Sequence, residues 1–260
     1  MNEFGGGLKT GTMIMAAVLV AFTAGCGGRD EIFGISGAGG LGAGSCTVGN
    51  LPLASAAGFG VLGGTALTIT NPTSVTGNVG SPTITPAAGP STLVGTMYDS
   101  SPASELTVIS TAVTDMQTAL GCALARPCDF NYGVATDFGG MTLAPGVHCV
   151  TAAMSVGSNL TLSTPGIYIF RSTGALTTAA SVVVAFGGSA NATNTGVFWV
   201  SSGPASNVSI GATNVFLGTI MVGNLGDPGA ATVGANTTLL PGRVLSTNAV
   251  TLDTNQIAIP

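Results

Sequence analysis

The sequence predicts a mainly β protein, a β-solenoid with one long helix lying along its stack. Three observations lead there. Of 260 residues only 6% are charged, while 45% are hydrophobic and 41 are glycine; a globular chain usually carries about 25% charged residues. A short segment recurs through the second half of the chain at intervals typical of solenoid coils. One stretch alone has helical rather than alternating apolar periodicity.

So little charge cannot solvate ordinary helical surfaces, and a net charge of -5 with abundant apolar residues does not describe a disordered chain. Short strands punctuated by glycine fit both facts. The five basic residues (Lys9, Arg29, Arg126, Arg171 and Arg243) form no patch, which argues against a nucleic-acid partner.

In chain order, Lys9 precedes the apolar run Met13–Ala24. Its length suits a signal peptide and is short for a bilayer span. The run ends in "TAGC", which resembles a bacterial lipobox with Cys26 as the acylated residue, although Thr23 stands where Leu is commoner. Residues 1–25 are read as a lipoprotein-type signal peptide, an ordinary secretory signal being the alternative. Residues 26–50 read as a Gly-rich tether, and residues 51–260 as the solenoid domain. The expected location is the bacterial cell envelope or surface, held to the membrane by the Cys26 lipid, or the medium if the signal is simply cleaved. Export implies an oxidising compartment. Cys46, Cys122, Cys128 and Cys149 then serve as structural staples, with three pairings possible. No Cys/His cluster suggests a metal.

Between Ser101 and Arg126, the residues Leu106, Ile109, Val113, Met116, Leu120 and Ala123 are spaced 3, 4, 3, 4 and 3 apart. This predicts an amphipathic helix near 102–126, about 35 Å long. Ser101 suits its N-cap, Pro102 its first position, and Pro127 follows its end.

The recurring segments are "VGSNLTL" from Val156, "TAASVVV" from Thr178, "GATNVFL" from Gly211 and "GANTTLL" from Gly234, separated by 22, 33 and 23 residues. Their second positions are always small and their seventh always aliphatic. The long interval holds an extra strand, Thr195–Ser202. Stacked coils account for this composition. Inward side chains pack on those above and below, and equivalent residues recur about 4.8 Å apart. Charges in such ladders would repel their own copies, whereas Thr, Ser and Asn do not. The helix would cover one apolar side, and the end coils need protection of their open edges.

Five blocks resemble, in order, those of the microbial ice-binding protein family: "LASAAGFGVLGGTALTITNPTSVTGNVG" (53–80), "DFGGMTLAPGVHCV" (137–150), "GIYIFRSTGALTTAASVVV" (166–184), "GVFWVSS" (196–202) and "GRVLSTNAVTLDTNQI" (242–257). The resemblance implies an irregular, right-handed β-solenoid of triangular section with one long helix alongside. It also implies a stack discontinuous in sequence, the N-terminal coil packing beside the C-terminal ones. It pairs Cys128 with Cys149, leaving Cys46 with Cys122.

The function implied is ice binding, with antifreeze or ice recrystallisation inhibition as its outcome. Some members carry, on the ice-binding face, Thr, then Ala or Gly, any residue, then Thr or Asn. Carried over, this motif gives a contact ladder of Thr178, Ser181, Thr213, Asn214, Asn236 and Thr237, with Ser158 and Asn159 at its edge; the leading Thr is absent from three of the four coils. A flat, rigid, uncharged array suits an ice lattice, because small residues keep it level, Thr and Asn bond ordered water, and a preformed face loses little entropy on binding. The expected partners are the ice surface and, through the lipid, the membrane. The expected protein is a monomer without cofactor or metal.

The competing reading is a surface adhesin or structural solenoid that binds polysaccharide or protein, since fold alone does not decide function. It would need a groove with exposed aromatics and carboxylates. An enzyme fits poorly. His148, the sole histidine, lies in the alternating strand "GVHCV" and reads as packing. Trp199 reads as a core aromatic and Arg243 as structural, while Asp129, Asp137, Asp227 and Asp253 are scattered. No G-x-S-x-G, phosphate-loop or metal motif occurs.

Overall fold

The short apolar-alternating runs become strands that all pair in parallel, each with the equivalent run of another coil. The structure, a computed structural model, describes residue 46 and residues 51–260 apart from 88, 90, 205 and 225. All of these belong to the unit Glu31–Pro260. The expected signal peptide, Cys26 and the 26–50 tether, apart from Cys46, lie outside the described residues.

A 3₁₀ turn (Ala54–Gly58) leads into the first coil, β1 (Phe59–Gly63), β2 (Ala66–Ile69) and β3 (Ser74–Thr76). The second coil is β4 (Asn78–Gly80), β5 (Ile84–Thr85) and β6 (Thr92–Val94), followed by β7 (Met97–Tyr98) and helix α1 (Ala103–Ala125). After α1 come β8 (Phe130–Tyr132) and β9 (Thr136–Asp137), then β10 (Gly146–Val150), β11 (Met154–Val156) and β12 (Leu160–Leu162). Next are β13 (Gly166–Ser172), β14 (Leu176–Thr178) and β15 (Val184–Phe186), then β16 (Thr195–Ser201) and β17 (Val208–Ile210). The chain closes with β18 (Val215–Val222), β19 (Ala231–Val233), β20 (Thr238–Ser246), β21 (Ala249–Leu252) and β22 (Gln256–Ala258).

These strands form three sides. The helix side stacks β8, β10, β13, β16, the second halves of β18 and β20, then β1, β4 and β7. The second side is an eight-stranded sheet in the order β9-β11-β14-β17-β19-β21-β2-β5. The third carries β12 and β15, the first halves of β18 and β20, then β22, β3 and β6. On every side an N-terminal strand lies against a C-terminal one: β1 on β20, β2 on β21 and β3 on β22. The stack is therefore discontinuous in sequence, as the family resemblance implies.

The helix side is buried on both faces, which is why its strands read as nearly unbroken apolar runs. Inward, Tyr168, Phe170, Val197, Trp199, Ile220 and Val244 fill the solenoid. Outward, Ile169, Phe198, Val200, Met221, Leu245 and Leu62 meet Ile109, Met116 and Leu120 of α1. With 23 residues and a mean hydropathy of 1.2 over an 18-residue window, α1 is long and apolar enough to cross a bilayer, but its apolar stripe is spent on this sheet. Two expectations for the helix need correcting. Pro102, in extended conformation, is the N-cap, and no side chain caps the first turn; the Glu105 carboxylate instead accepts from the Asp99 N–H. Leu106 is 40% exposed, because contact with the stack begins only at Ile109.

Both implied disulfides are present, Cys46–Cys122 and Cys128–Cys149, with Cα separations of 5.3 and 5.8 Å. Beside them Arg171 closes the helix. Its Nη1 donates to the carbonyls of Ala123, Leu124 and Arg126, and its Nε and Nη2 donate to the sulfurs of Cys149 and Cys128. A guanidinium thus satisfies carbonyls that a helix C-terminus leaves orphaned, where positive charge is also favoured. Arg243 is structural, as expected. It is buried, its pKa is pushed down to about 10 by that burial, and it donates to the Ala57 carbonyl and Thr219 Oγ1.

His148 is core packing as well. Its ring stacks on Phe130 at 4.6 Å and on Phe170 at 5.0 Å, and Phe170 stacks on Trp199 at 4.2 Å. Nε2 lies 2.9 Å from the Ala144 carbonyl and Nδ1 3.1 Å from the Tyr132 hydroxyl. A neutral ring donating from Nε2 and accepting at Nδ1 satisfies both. Burial lowers the imidazole pKa from its ordinary 6.5, opposed by the Ala144 bond and the charge of Asp129.

Arg171→Ala is expected to destabilise the fold by roughly 2–3 kcal/mol, since it strands several carbonyls; thermal or urea unfolding measures this. For His148 the unfolded chain protonates first as pH falls below 6.5, so stability is full above that value and declines below it. Unfolding of the parent and His148→Phe at about pH 7.5 and about pH 5 should show a smaller loss in the variant.

Candidate functional site

The helix leaves the second and third sides open, and of the two the second sheet presents the row of like residues, whereas the third side exposes Val94, Val215 and Leu240 among its polar residues. The second sheet's strands are three or four residues long in the central coils, with the pattern buried, outward, buried, so each presents one central side chain. Register places these in a single row: Ser155 beside Thr177, then Ser209, Thr232, Thr251, Thr68 and Thr85. Seven hydroxyls on seven neighbouring strands span about 29 Å at the spacing of a β-ladder. All are exposed or half-exposed. At the β9 end the row meets Asp137, level with Ser155; its Oδ1 accepts from the Gly157 and Gly139 N–H groups at 2.8 and 2.9 Å.

The flanking rows follow from alternation. Two residues before the hydroxyls stand Ala153, Ala175, Asn207, Ala230, Ala249, Ala66 and Thr83; two residues after stand Gly157, Ala179, Gly211, Gly234, Asp253 and Thr70. Apart from Asn207 and Asp253 these side chains are short, which keeps the sheet level. A Cβ at Gly211 would lie 2.5 Å from the Ala179 carbonyl oxygen, and one at Gly234 would lie 2.7 Å from the Ala212 nitrogen. Glycine there lets the coils close up at the corner.

The sequence-predicted ladder lies at that corner, between the second sheet and the third side, and the structure divides it. Ser158, Asn159, Ser181, Thr213 and Asn236 are exposed and Thr178 is half-buried, whereas Asn214 is 1% and Thr237 0% exposed. Asn214 and Thr237 therefore cannot touch an external surface. Asn214 Oδ1 accepts from the Val182 N–H, its Nδ2 donates to Thr178 Oγ1, and Thr237 Oγ1 donates to the Gly211 carbonyl. Ser181, Thr213 and Asn236 hold the left-handed turn of each corner, at φ of 59, 56 and 58°. They form a convex edge rather than a plane, with Ser181 Oγ 2.8 Å from Thr213 Oγ1. The sequence alignment sets the Val156 and Thr178 segments one residue out of step with those from Gly211 and Gly234. Thr178 ends β14 beside Val156 and stands level with Ile210, so Ser181 matches Thr213 rather than Asn214.

Sequence reasoning thus missed the seven-hydroxyl row itself. Its signal was present in the alternations "MSV", "LTT", "VSI", "ATV", "AVTL" and "ALTI", each ending just before a corner. Nothing comparable is built for chemistry. Among the described residues no group of three or more His, Cys, Asp or Glu could hold a metal, and Trp199 is fully buried. Clefts of about 450 and 260 Å³ flank the C-terminal end of α1, one against the Cys46–Cys122 bridge and one against Arg171; no aromatic side chain lines either.

Known proteins share this architecture and much of the sequence. The chain is 32% identical over 224 residues to an ice-binding protein of Flavobacterium frigoris (strain PS1), covering 80% of this chain and 76% of that one. It is 30% identical over 222 residues to an ice-binding protein of Colwellia sp, covering 80% and 83%. The crystal structure of an ice-binding protein from an Antarctic biological consortium superposes with a TM-score of 0.66 at 29% identity, over 80% of this chain and 91% of that one. That of the Antarctic ascomycete Antarctomyces psychrotrophicus gives 0.68 at 25% identity, over 81% and 98%. The family model described as ice-binding-like matches residues 61–258. With most of the solenoid inside that match, the chain belongs to the ice-binding-like family.

Proposed function

We propose that this protein adsorbs to ice through the second sheet and thereby inhibits ice growth and recrystallisation. The observation that carries the reading is the row Ser155, Thr177, Ser209, Thr232, Thr251, Thr68 and Thr85, in register and bordered mostly by alanine and glycine. Its hydroxyls exchange hydrogen bonds with ordered water, and its methyls fit between water molecules. The backbone is fixed by pairing on both sides, so little ordering entropy opposes adsorption. Adsorption of this kind needs no bond-making chemistry and no cofactor. The relatives' names as ice-binding proteins support the same reading. The adhesin alternative gains nothing, since the tryptophan it would use is in the core.

The same proposal covers location and assembly. Two disulfides suit an exported protein, and a lipid on Cys26 would hold a monomeric solenoid at the cell envelope.

The test is ice recrystallisation inhibition, with circular dichroism to confirm folding. The parent should inhibit, Thr177→Tyr/Thr232→Tyr should lose inhibition, and Thr213→Ala on the corner should stay within about twofold of the parent. Full inhibition by the tyrosine variant would move the site to another face; an inactive parent would remove the reading. For the anchor, labelled palmitate should enter the parent and not Cys26→Ser.

A further inference from the structure

The hydroxyl row is assembled from two separate pieces of chain. Ser155 to Thr251 follow one another along the sequence, and each coil is joined covalently to the next. Thr68 and Thr85 come from before α1, and Thr68 stands beside Thr251 across a seam that no nearby peptide link closes. Position at that seam depends on non-covalent contacts alone.

Two outward side-chain pairs bracket it. At the start of β2, Thr65 Oγ1 donates to Asn248 Oδ1 at 2.7 Å. Just beyond its end, Asn71 Nδ2 donates to Asp253 Oδ1 at 2.7 Å, and Thr254 Oγ1 holds the same oxygen at 2.9 Å. Between these pairs the strands read "ALTI" and "AVTL", whose outward residues are only Ala66, Thr68, Ala249 and Thr251. Such short side chains add nothing on the outer face to the backbone ladder and the buried contacts of Leu67, Ile69, Val250 and Leu252.

We infer that Asn248 and Asp253 are positioning residues for ice adsorption: they hold the displaced N-terminal coil level with the C-terminal one, so that Thr68 and Thr85 continue the row. This rests on the second sheet being the adsorbing face. Neither residue needs to touch ice; each acts through the coil it holds.

Recrystallisation inhibition by the full chain tests this in combined variants. In the parent, Thr68→Tyr and Thr177→Tyr should each reduce inhibition. Asn248→Ala/Asp253→Ala should remain folded and need roughly threefold more protein for the same inhibition. In that background Thr68→Tyr should add no further loss, because its rung is already out of line, while Thr177→Tyr still abolishes activity. Asp253→Asn, which keeps the acceptor for Asn71, should recover most of what Asp253→Ala loses. Equal damage by Thr68→Tyr in both backgrounds would overturn the inference. If the double variant does not fold, the same comparison with Asp253→Ala alone decides. If Thr177→Tyr leaves the parent fully active, the face assignment fails first and the inference falls with it.

Discussion

At the corner between the second sheet and the third side, one polar side chain per coil takes up backbone groups that the strands cannot reach. Asn214 serves Val182 and Thr178; Thr237 receives the Asn214 N–H and donates to Gly211; Asn255 donates to the Gly234 carbonyl; and Thr73 receives the Asn255 N–H. Each link spans two coils, so the corner is pinned along the stack. An unpaired backbone group buried there would cost about 1–3 kcal/mol. The flatness of the second sheet depends on this, since a corner that drifted would tilt each strand against the next.

The same requirement shapes the composition. A parallel stack places like beside like, so any outward residue is repeated at the strand spacing. Hydroxyls, methyls and glycine tolerate that repetition and rows of charge do not. What charge remains inside or near the core is engaged. Arg171 closes the helix, Arg243 ties β20 to the 3₁₀ turn, and the Asp115 carboxylate accepts from Ser55. The helix covers the one sheet whose outer face is apolar, leaving the second sheet free to be polar and open. Division of labour among the three sides therefore begins with which strands alternate and which do not.

Much of this was legible in the residues. The helix period, the scarcity of charge and the recurring segments determined a stacked β architecture with a single covering helix, because periodicity reports which faces are buried whatever the partner. The sequence also marked the corners, for "GATN" and "GANT" combine close-packing glycine, a left-handed turn residue and a buried cap. Those very features disguised them as a surface motif. Polar residues in a repeated column look alike whether they face water or the interior, and near glycine the alternation that would tell them apart is interrupted.

Only the tertiary structure decided which polar column faces outward. Asn214 and Thr237 turned inward because buried carbonyls and N–H groups needed them, while Thr177 and Thr232, two or more residues earlier in their coils, were left outside by strand alternation. It likewise decided that Thr68 stands beside Thr251, a neighbour 183 residues away. Local sequence sets the periodicity of each strand, but the partner across a parallel sheet is chosen by the whole stack, and the face that results belongs to no single segment.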